Sequence, residues 1–437
     1  MNMSSKYLFS IIIPTRQRHD TLRFSMQSVI NQTYTNFELI VMDNSSSPET
    51  YEVVTSFGDE RIKYYRSEER LSMADNWELG LSYATGDYVF ILGDDDALMP
   101  DGIELGSNLI NKFNVDIISW FRHQYWWPSV IVPHQRNKLF LNLLPVAEIW
   151  ESRQKLREFY CSQCIFENLP MIYNSFVNRN LINTVKSIHG RYFMTINPDV
   201  ESGIVNAYFS QKYLYSLRSL SIAGLSGHSI GTSSGYSSFN SQALNQFNKE
   251  CQNHPSIKVH DILTPTVSNQ EIYVADTSLK VKELYFPDDT DIQLDIKGLL
   301  NLIASRINRD SDKYETTLEE IKNIAEKHKI DISEISMPQK NTNKIEPYQG
   351  PIFSANGSLN TLVINCEQLG VSDVAHAAMV CQALLPTQEF LRVKTGNFSL
   401  SDENTQELDT VIKTSTIIID GVFFQLYSTG IARVWRS

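Results

Sequence analysis

A short apolar run that ends in consecutive carboxylates constrains this chain most. Residues 88–92 are aromatic and aliphatic without polar alternation, which is typical of a strand buried on both faces of a sheet. Gly93 ends the run, and three aspartates follow it directly, namely Asp94, Asp95 and Asp96. The carboxyl end of a buried strand is where open α/β sheets bind ligands. Because adjacent carboxylates repel one another, the run predicts a site for a divalent cation, Mn2+ or Mg2+; a solvated acidic turn is the alternative.

The segment before this run alternates between strand-like and helix-like patterns. Apolar runs predict strands at residues 9–13, 37–42 and 62–65, and helical spacing predicts helices at 21–32 and 72–84. This order, followed by the strand at 88–92, predicts an α/β fold with a doubly wound, mostly parallel sheet.

Polar side chains follow each predicted strand, and parallel strands would bring them to one edge of the sheet. A carboxylate after the second strand can accept hydrogen bonds from a base or a ribose, and an arginine can offset phosphate charge. With Asn76 from the second helix, the predicted nucleotide-diphosphate site comprises Pro14, Thr15, Arg16, Asp43, Asn44, Arg66, Asn76, Asp94 and Asp95. The chain lacks a glycine-rich dinucleotide fingerprint and a Walker lysine motif, which argues against a dehydrogenase and a P-loop enzyme.

Three stretches together resemble family 2 of the glycosyltransferases: residues 10–16 (SIIIPTR), 37–44 (FELIVMDN) and 84–96 (ATGDYVFILGDDD). The resemblance covers residues 8–235 and implies a GT-A fold, a nucleotide-activated sugar donor and, usually, inversion at the anomeric carbon. It implies that Asp43 reads the nucleobase in a pocket that Thr15 and Arg16 also line.

The same resemblance implies that Asp94 and Asp96 are the D-x-D pair, with Asp96 as the direct metal ligand. Many members of the family carry an aspartate where Gly93 stands. Which aspartate reaches the ribose therefore stays open.

Residues 196–204 contain the candidate catalytic base. An acceptor hydroxyl must lose its proton as it attacks the anomeric carbon. Asp199 and Glu201 lie where the resemblance places the base of an inverting transferase. Asp199 is favoured because it is nearest the turn, and Glu201 is the alternative. A helix predicted from Ser202 leaves an N-cap as the structural interpretation of Asp199.

Two further predictions concern the metal and the acceptor. His228 lies in a glycine- and serine-rich loop after a predicted strand at 217–223, and it resembles a late histidine that related enzymes place near the metal or diphosphate. Trp126 and Trp127 precede a proline in a predicted loop and are candidates for stacking on an acceptor. Ordinary packing in the protein interior is the alternative for both tryptophans.

Composition predicts four regions along the chain. They are a GT-A domain at 1–245, a helical appendage at 246–335, a linker at 336–358 and a partial second α/β region at 359–437. The last region has predicted strands at 361–365 and 415–419 and a helix at 375–385. Residues 417–433 weakly resemble the opening of a family 4 transferase of GT-B type, which implies a covalent continuation into a second transferase domain.

Charge and length limit the partners. A net charge of −12 over 437 residues argues against a broad nucleic-acid surface. No apolar run reaches the roughly 18 residues of a membrane span. Five scattered cysteines predict reduced thiols in a cytoplasmic protein.

The resulting prediction is a metal-dependent inverting glycosyltransferase of glycan or surface polysaccharide synthesis. It would move a sugar from a nucleotide diphosphate sugar, with UDP favoured, to a hydroxyl of a glycan or lipid-linked acceptor, in the cytoplasm and in peripheral contact with the inner face of the membrane. A sugar nucleotidyltransferase and a non-catalytic module that binds sugar nucleotides are the alternatives.

Overall fold

The computed structural model describes residues 6–229, 247, 249–264, 269–309, 313–340, 352–353 and 359–394. Its strands are β1 Phe9–Thr15, β2 Phe37–Asp43, β3 Ile62–Arg66, β4 Tyr88–Ile91, β5 Ala97–Leu98, β6 Ile117–Trp120, β7 His123–Trp126, β8 Lys138–Asn142, β9 Val146–Glu151, β10 Ser175–Asn178, β11 Lys212–Ser216, β12 Ser221–Leu225, β13 Ile352–Phe353, β14 Leu359–Asn365 and β15 Arg392–Lys394. Its α-helices are α1 His19–Ile30, α2 Pro48–Thr55, α3 Met73–Ser82, α4 Gly102–Phe113, α5 Ser152–Tyr160, α6 Arg179–His189, α7 Pro198–Phe209, α8 Gln270–Tyr285, α9 Ile296–Arg306, α10 Tyr314–Lys327 and α11 Val374–Leu384.

The larger sheet has the strand order β15-β9-β11-β6-β10-β4-β1-β2-β3. Strands β4, β1, β2 and β3 are parallel neighbours, and β10 is an antiparallel insertion between β4 and β6. Successive residues of β1 face opposite cores: Ile11 and Ile13 pack with Leu22 of α1, whereas Ile12 packs with Trp77 of α3. Because helices cover both faces, the predicted α/β fold with a doubly wound, mostly parallel sheet is confirmed.

Three local predictions differ from the structure. Helix α2 lies between β2 and β3, where the sequence predicted a loop at residues 45–48 and no helix. Pro48 occupies the first turn of α2, where its missing N–H is harmless. Residues 217–223 are not one strand, because the chain leaves the larger sheet after Ser216 and enters the smaller sheet at Ser221. Helix α7 begins at Pro198 rather than at residue 202.

The smaller sheet, β13-β14-β8-β7-β12-β5, joins C-terminal strands to strands from earlier in the chain. Strand β14 pairs with β8, and β15 pairs with β9 in the larger sheet. Helix α11 packs Ala377 and Cys381 against a core that includes Tyr125 and Trp127. Residues 359–394 therefore complete both sheets, because β8 and β9 would otherwise expose unpaired edges.

The predicted domain boundaries stay untested, although some predicted elements of the C-terminal region are present. The predicted strand at 361–365 and helix at 375–385 are present as β14 and α11, and residues 352–353 of the predicted linker pair with β14. The predicted boundary at 245, the strand at 415–419 and the family 4 resemblance at 417–433 lie outside the described residues.

Helices α8, α9 and α10 form the appendage and share a core of their own. Leu299, Leu300 and Ile303 of α9 are buried in that core. Helix α8 also packs on α7, where the Asn197 side chain donates to the Thr277 hydroxyl at 2.7 Å. In the part of the chain that the structure describes, no helix is long and apolar enough to cross a membrane.

Candidate active site

The carboxyl ends of β1, β2, β3 and β4 meet at one edge of the larger sheet because these strands are parallel neighbours. Thr15 ends β1, Asp43 ends β2, Arg66 ends β3, and the three aspartates follow β4. Strand β6 points the same way, since β10 is antiparallel to both β4 and β6. The polar strand ends that the sequence grouped thus do share one edge.

All three aspartates of the acidic run are buried, and each is held differently. Asp94 accepts a hydrogen bond from the Thr15 hydroxyl at 2.7 Å and pairs with Arg18 at 2.9 Å. Asp95 accepts from the Ser226 hydroxyl at 2.6 Å.

The third aspartate is bound mainly by backbone amides. Asp96 accepts from the amide of Gly224 at 2.6 Å and from that of Gly93 at 3.3 Å. Its Oδ2 lies 3.8 Å from Nη1 of Arg122, and it accepts a hydrogen bond from Tyr173. Three carboxylates are therefore faced by two guanidinium groups, those of Arg18 and Arg122.

This arrangement disfavours ionisation of Asp95 and Asp96. Burial raises the pKa of Asp95 to about 7; Arg18 opposes the shift, and Asp96 and Asp94 add to it. Burial also raises the pKa of Asp96, against the opposing charge of Arg122. A divalent cation would relieve the repulsion, and carboxylate oxygens are the ligands that Mg2+ and Mn2+ prefer, so the donor chemistry fits. Within the described residues no three acidic, histidine or cysteine side chains already converge as a ready cage.

Glycine is required at two positions around the acidic run. A Cβ at Gly224 would lie 1.6 Å from the Asp95 carbonyl oxygen, so β12 approaches the run this closely only without a side chain. A Cβ at Gly93 would lie 2.5 Å from the Tyr173 hydroxyl. The aspartate that many family members carry at this position would therefore displace Tyr173.

We expect Gly224→Ala to lower the free energy of unfolding by about 3 kcal/mol, because the new methyl group collides with backbone that cannot move aside alone. Gly190→Ala is the control: its Cβ meets nothing within 4 Å, and only the positive φ of +77° opposes it, at roughly 1 kcal/mol. Urea unfolding of both variants checks the difference. Equal, small losses would show that β12 can move away from the acidic run.

The predicted nucleobase residue is tightly fixed. Asp43 is wholly buried; it accepts from the Tyr64 hydroxyl at 2.6 Å and from the Ser46 amide at 2.9 Å. Arg66 lies 3.8 Å from the Asp43 carboxylate with half of its side chain exposed. Asp43 and Arg66 are thus together at the sheet edge, as the sequence predicted.

The other residues predicted to bind the nucleotide make differing contacts. The Asn44 side chain bonds the backbone of Leu71 in both directions, at 2.8 and 2.9 Å. Asn76 is buried and donates to the Met42 carbonyl at 3.5 Å, so both asparagines brace backbone. Pro14 lies within β1, and Arg16 pairs with Glu250.

The two base candidates are separated by the structure. Asp199 follows Pro198 in the first turn of α7 and is partly exposed, so it is not the N-cap, which is Asn197. Burial raises the pKa of Asp199, and the Val200 amide and the charge of Arg122 oppose that shift.

The second candidate turns into the interior. Glu201 is fully buried and accepts from the amides of Met194 and Thr195, at 2.9 and 2.7 Å, and from the Thr195 hydroxyl at 2.9 Å. Burial raises the pKa of Glu201 to about 7. Glu201 therefore anchors the turn that leads into α7.

The structure places the remaining predicted site residues, one histidine and two tryptophans, differently from the sequence prediction. The His228 carbonyl accepts from Arg18 at 2.7 Å, while its side chain is exposed. Trp126 ends β7 and Trp127 follows it, and both are buried, so their placement in an open loop was wrong. The indole N–H of Trp127 donates to the Asp95 carbonyl at 2.9 Å and thereby supports the acidic run. Residues 230–235 of the predicted histidine loop lie outside the described residues.

Three residues of the site were not predicted: Arg18, Arg122 and Tyr173. Arg122 comes two residues after the end of β6, much as Arg16 comes directly after β1 and Arg66 ends β3; that repeated placement was the available signal. Tyr173 carried no signal, because it precedes the inserted strand β10.

Comparison with known families identifies the fold's N-terminal part. Residues 10–182 match the family described as glycosyl transferase family 2. These residues are a family 2 glycosyltransferase domain. The domain contains β1 to β4, the acidic run, Arg122 and Tyr173, and its mixed α/β architecture agrees with the GT-A fold that the resemblance implied.

Two curated relatives of the glycosyltransferase domain have named reactions. An Escherichia coli UDP-Glc:alpha-D-GlcNAc-diphosphoundecaprenol beta-1,3-glucosyltransferase is 35% identical over 112 residues, 26% of this chain and 44% of that protein. A Campylobacter jejuni GalNAc(5)-diNAcBac-PP-undecaprenol beta-1,3-glucosyltransferase is 35% identical over 108 residues, 24% of this chain and 34% of that protein. The chain thus spans less than half the length of these relatives.

Solved structures resemble the chain more distantly. S. aureus TarS 1-349 in complex with UDP-GlcNAc has a TM-score of 0.44 and 15% identity, covering 78% of this chain and 98% of that one. Mannosyltransferase PcManGT from Pyrobaculum calidifontis, in complex with GDP-Man and Mn2+, has a TM-score of 0.37 and 12% identity, covering 74% and 81%.

Proposed function

We propose that this chain is an inverting glycosyltransferase that moves a sugar from a nucleotide diphosphate sugar to a hydroxyl group. The observation that carries the proposal is the acidic run 94–96 with Arg18 and Arg122, which lies within the family 2 glycosyltransferase domain. Asp43 would shape the nucleobase pocket, with Arg66 and Thr15 at neighbouring strand ends. Asn44 and Asn76 would support that pocket through the backbone that they brace.

A divalent cation belongs to this proposal. Asp96 and Asp94 would hold it with Asp95 beside them, and bound Mn2+ or Mg2+ would neutralise charge on the departing diphosphate. Arg18 and Arg122 remain as fixed positive charges at the same edge. Preorganised charges of this kind stabilise a developing anion without reorganisation of solvent.

The proposed base is Asp199. Its raised pKa suits a carboxylate that must accept a proton near neutral pH, and its partial exposure lets an acceptor reach it. Proton removal by Asp199 as the hydroxyl attacks, with the diphosphate leaving from the opposite face, gives a single displacement and inverts the anomeric centre. Glu201 is excluded from this role in the proposal, because its carboxylate is committed to Met194 and Thr195.

The named reactions of the two relatives support a choice of substrates. Both relatives are named glucosyltransferases with acceptors on a diphosphoundecaprenol carrier or its abbreviated form, and one is named with UDP-Glc as donor. We propose UDP-glucose as the donor and a lipid-diphosphate-linked glycan as the acceptor, which implies peripheral contact with the cytoplasmic face of a membrane. The buried Trp126 and Trp127 take no part in acceptor binding in this proposal.

Ligand-dependent stabilisation tests the donor and cation together. With Mn2+ present, we expect UDP to raise the thermal midpoint of unfolding more than GDP or dTDP, because a ligand at about 100 times its Kd stabilises the native state by about 2.7 kcal/mol. Asp96→Asn should abolish the Mn2+-dependent part of the shift while the protein without ligand still unfolds cooperatively. A metal-dependent shift of wild-type size in this variant would show that Asp96 is not a ligand of the metal.

A further inference from the structure

Phe121 is an exposed aromatic residue at the sheet edge that carries the acidic run. It directly follows β6, whose carboxyl end shares that edge with β4. Trp120, one residue earlier, is fully buried against Phe90 and Phe176, whereas Phe121 is 38% exposed. The Phe121 amide donates to the Ser216 carbonyl at 2.8 Å, so the backbone that carries the exposed ring is fixed.

The position of Phe121 matters more than its exposure, because single exposed apolar side chains are common on protein surfaces. In the part of the chain that the structure describes, the most exposed aromatic residues are Tyr51, Phe390 and Phe121. Tyr51 lies in α2, and Phe390 lies in the short helical turn at residues 388–390. Of the three, Phe121 is the one that directly follows a strand ending at the edge of the acidic run.

The strand order separates Phe121 from the proposed nucleobase pocket. Asp43 and Arg66 end β2 and β3, which lie on one side of β4 in the order β6-β10-β4-β1-β2-β3. Phe121 follows β6, on the other side of β4. A nucleotide diphosphate that reaches from Asp43 to the acidic run would therefore direct its sugar toward β6, where the acceptor must meet it.

Hydrogen bonds join the end of β6 to the turn that carries the candidate base. The Trp120 amide donates to the Asn174 backbone carbonyl at 3.0 Å, and the Asn174 side chain donates to the Trp120 carbonyl at 3.3 Å. Two residues earlier, the Ile172 amide donates to the Ser202 hydroxyl at 3.1 Å, and that hydroxyl donates to the Asp199 carbonyl at 2.6 Å. The same short stretch before β10 thus holds the end of β6 and the first turn of α7.

We infer that Phe121 binds the acceptor, with its ring against the C–H face of the sugar that carries the attacking hydroxyl. This inference rests on the proposed function. An aromatic ring offers a broad apolar face, and the C–H groups on one face of a pyranose ring offer apolar surface of similar size, while the sugar hydroxyls stay free for water and the base. Because the backbone at Phe121 is already fixed, little conformational freedom is lost when the acceptor binds.

Steady-state kinetics with UDP-glucose and GlcNAc-diphosphoundecaprenol test the inference. Phe121→Ala should raise the KM for the acceptor by about tenfold, because truncation of an aromatic side chain that contacts a ligand typically costs this much affinity. The KM for UDP-glucose should stay within about twofold of the wild type, as for other substitutions at the surface. Phe121→Tyr keeps the ring and should bind the acceptor as the wild type does. Phe390→Ala removes another exposed phenyl ring and is the control, with both KM values unchanged.

Three kinetic outcomes would overturn the inference: an unchanged acceptor KM in Phe121→Ala, an equal rise in the KM for UDP-glucose, or a Phe121→Tyr variant as weak as Phe121→Ala. The thermal midpoint of unfolding of Phe121→Ala should stay close to that of the wild type, because the ring is exposed. A loss of acceptor affinity is then not a loss of folded protein.

Direct binding separates this inference from the proposed function. A wild-type protein that does not transfer sugar would contradict the proposed function. Calorimetric titration with GlcNAc-diphosphofarnesol, a short-chain form of the acceptor, should still show binding that Phe121→Ala weakens by about tenfold. Binding of equal strength to both proteins, or to neither, would overturn the role of Phe121.

Discussion

Asp199→Asn should reduce sugar transfer by about 100- to 10,000-fold, the usual contribution of a general base. The substitution keeps the shape of the side chain and removes the group that accepts the proton. Donor and Mn2+ binding should stay within about twofold of the wild type, because Asp199 lies in α7, outside the acidic run and the nucleobase pocket. Initial rates, with UDP affinity measured in parallel by calorimetry, check both parts.

Glu201→Gln is the matched control, two residues away on the same helix. It should lose stability rather than chemistry, since an amide cannot accept all the hydrogen bonds from Met194 and Thr195 that the carboxylate accepts. Leaving such a buried donor unpaired costs about 1–3 kcal/mol. If Glu201→Gln were folded and inactive while Asp199→Asn transferred sugar normally, the base would be Glu201.

A chain that ends at residue 340 should fail to fold cooperatively. It lacks β14, which pairs with β8, and β15, which pairs with β9. It also lacks α11, which covers the smaller sheet. The lost segment buries seven large aliphatic side chains: Leu362, Ile364, Val371, Val374, Val380, Leu384 and Leu385. At about 1.5–3 kcal/mol each, the loss is on the order of 10 kcal/mol, comparable with the whole stability of a typical domain.

The truncation also removes a buried polar contact. Arg218 pairs with Asp101 at 3.0 Å and donates to the Pro386 carbonyl at 3.2 Å, and Gln388 donates to Asp101 at 2.9 Å. A chain that ends at residue 394 keeps each of these groups and serves as the control; we expect it to unfold with a single transition. Circular dichroism melting compares the two. A cooperative transition at the full-length midpoint in the shorter chain would show that residues 359–394 are not needed for the fold.

The parts of the fold that could be predicted are those set by local pattern. The central strands can be recognised as apolar runs that end in polar residues. Because these strands are parallel neighbours, Thr15, Asp43 and Arg66 lie at one edge of the sheet. Helix α2 was missed because its first-turn proline was interpreted as part of a loop.

The missed parts depend on pairing between distant segments. Arg122 and Tyr173 join the acidic run only because β10 is inserted between β4 and β6, and no local pattern encodes that order. Gly224 is essential because β12 returns to Asp95 across a long stretch of chain. Strands β14 and β15 pair with β8 and β9 across more than two hundred residues of sequence, and the composition change at 336–358 gave no sign of that pairing.

Release of nucleotide from a labelled donor tests the proposed function most directly. Wild-type protein is incubated with UDP-glucose and Mn2+, with and without GlcNAc-diphosphoundecaprenol, and in parallel with UTP and glucose 1-phosphate. We predict that UDP is released slowly without acceptor and much faster with it, that glucose appears on the lipid, and that UTP yields no pyrophosphate. Pyrophosphate release from UTP would contradict this function in favour of a nucleotidyltransferase, and binding of UDP-glucose without any release of UDP would reduce the chain to a module that binds sugar nucleotides.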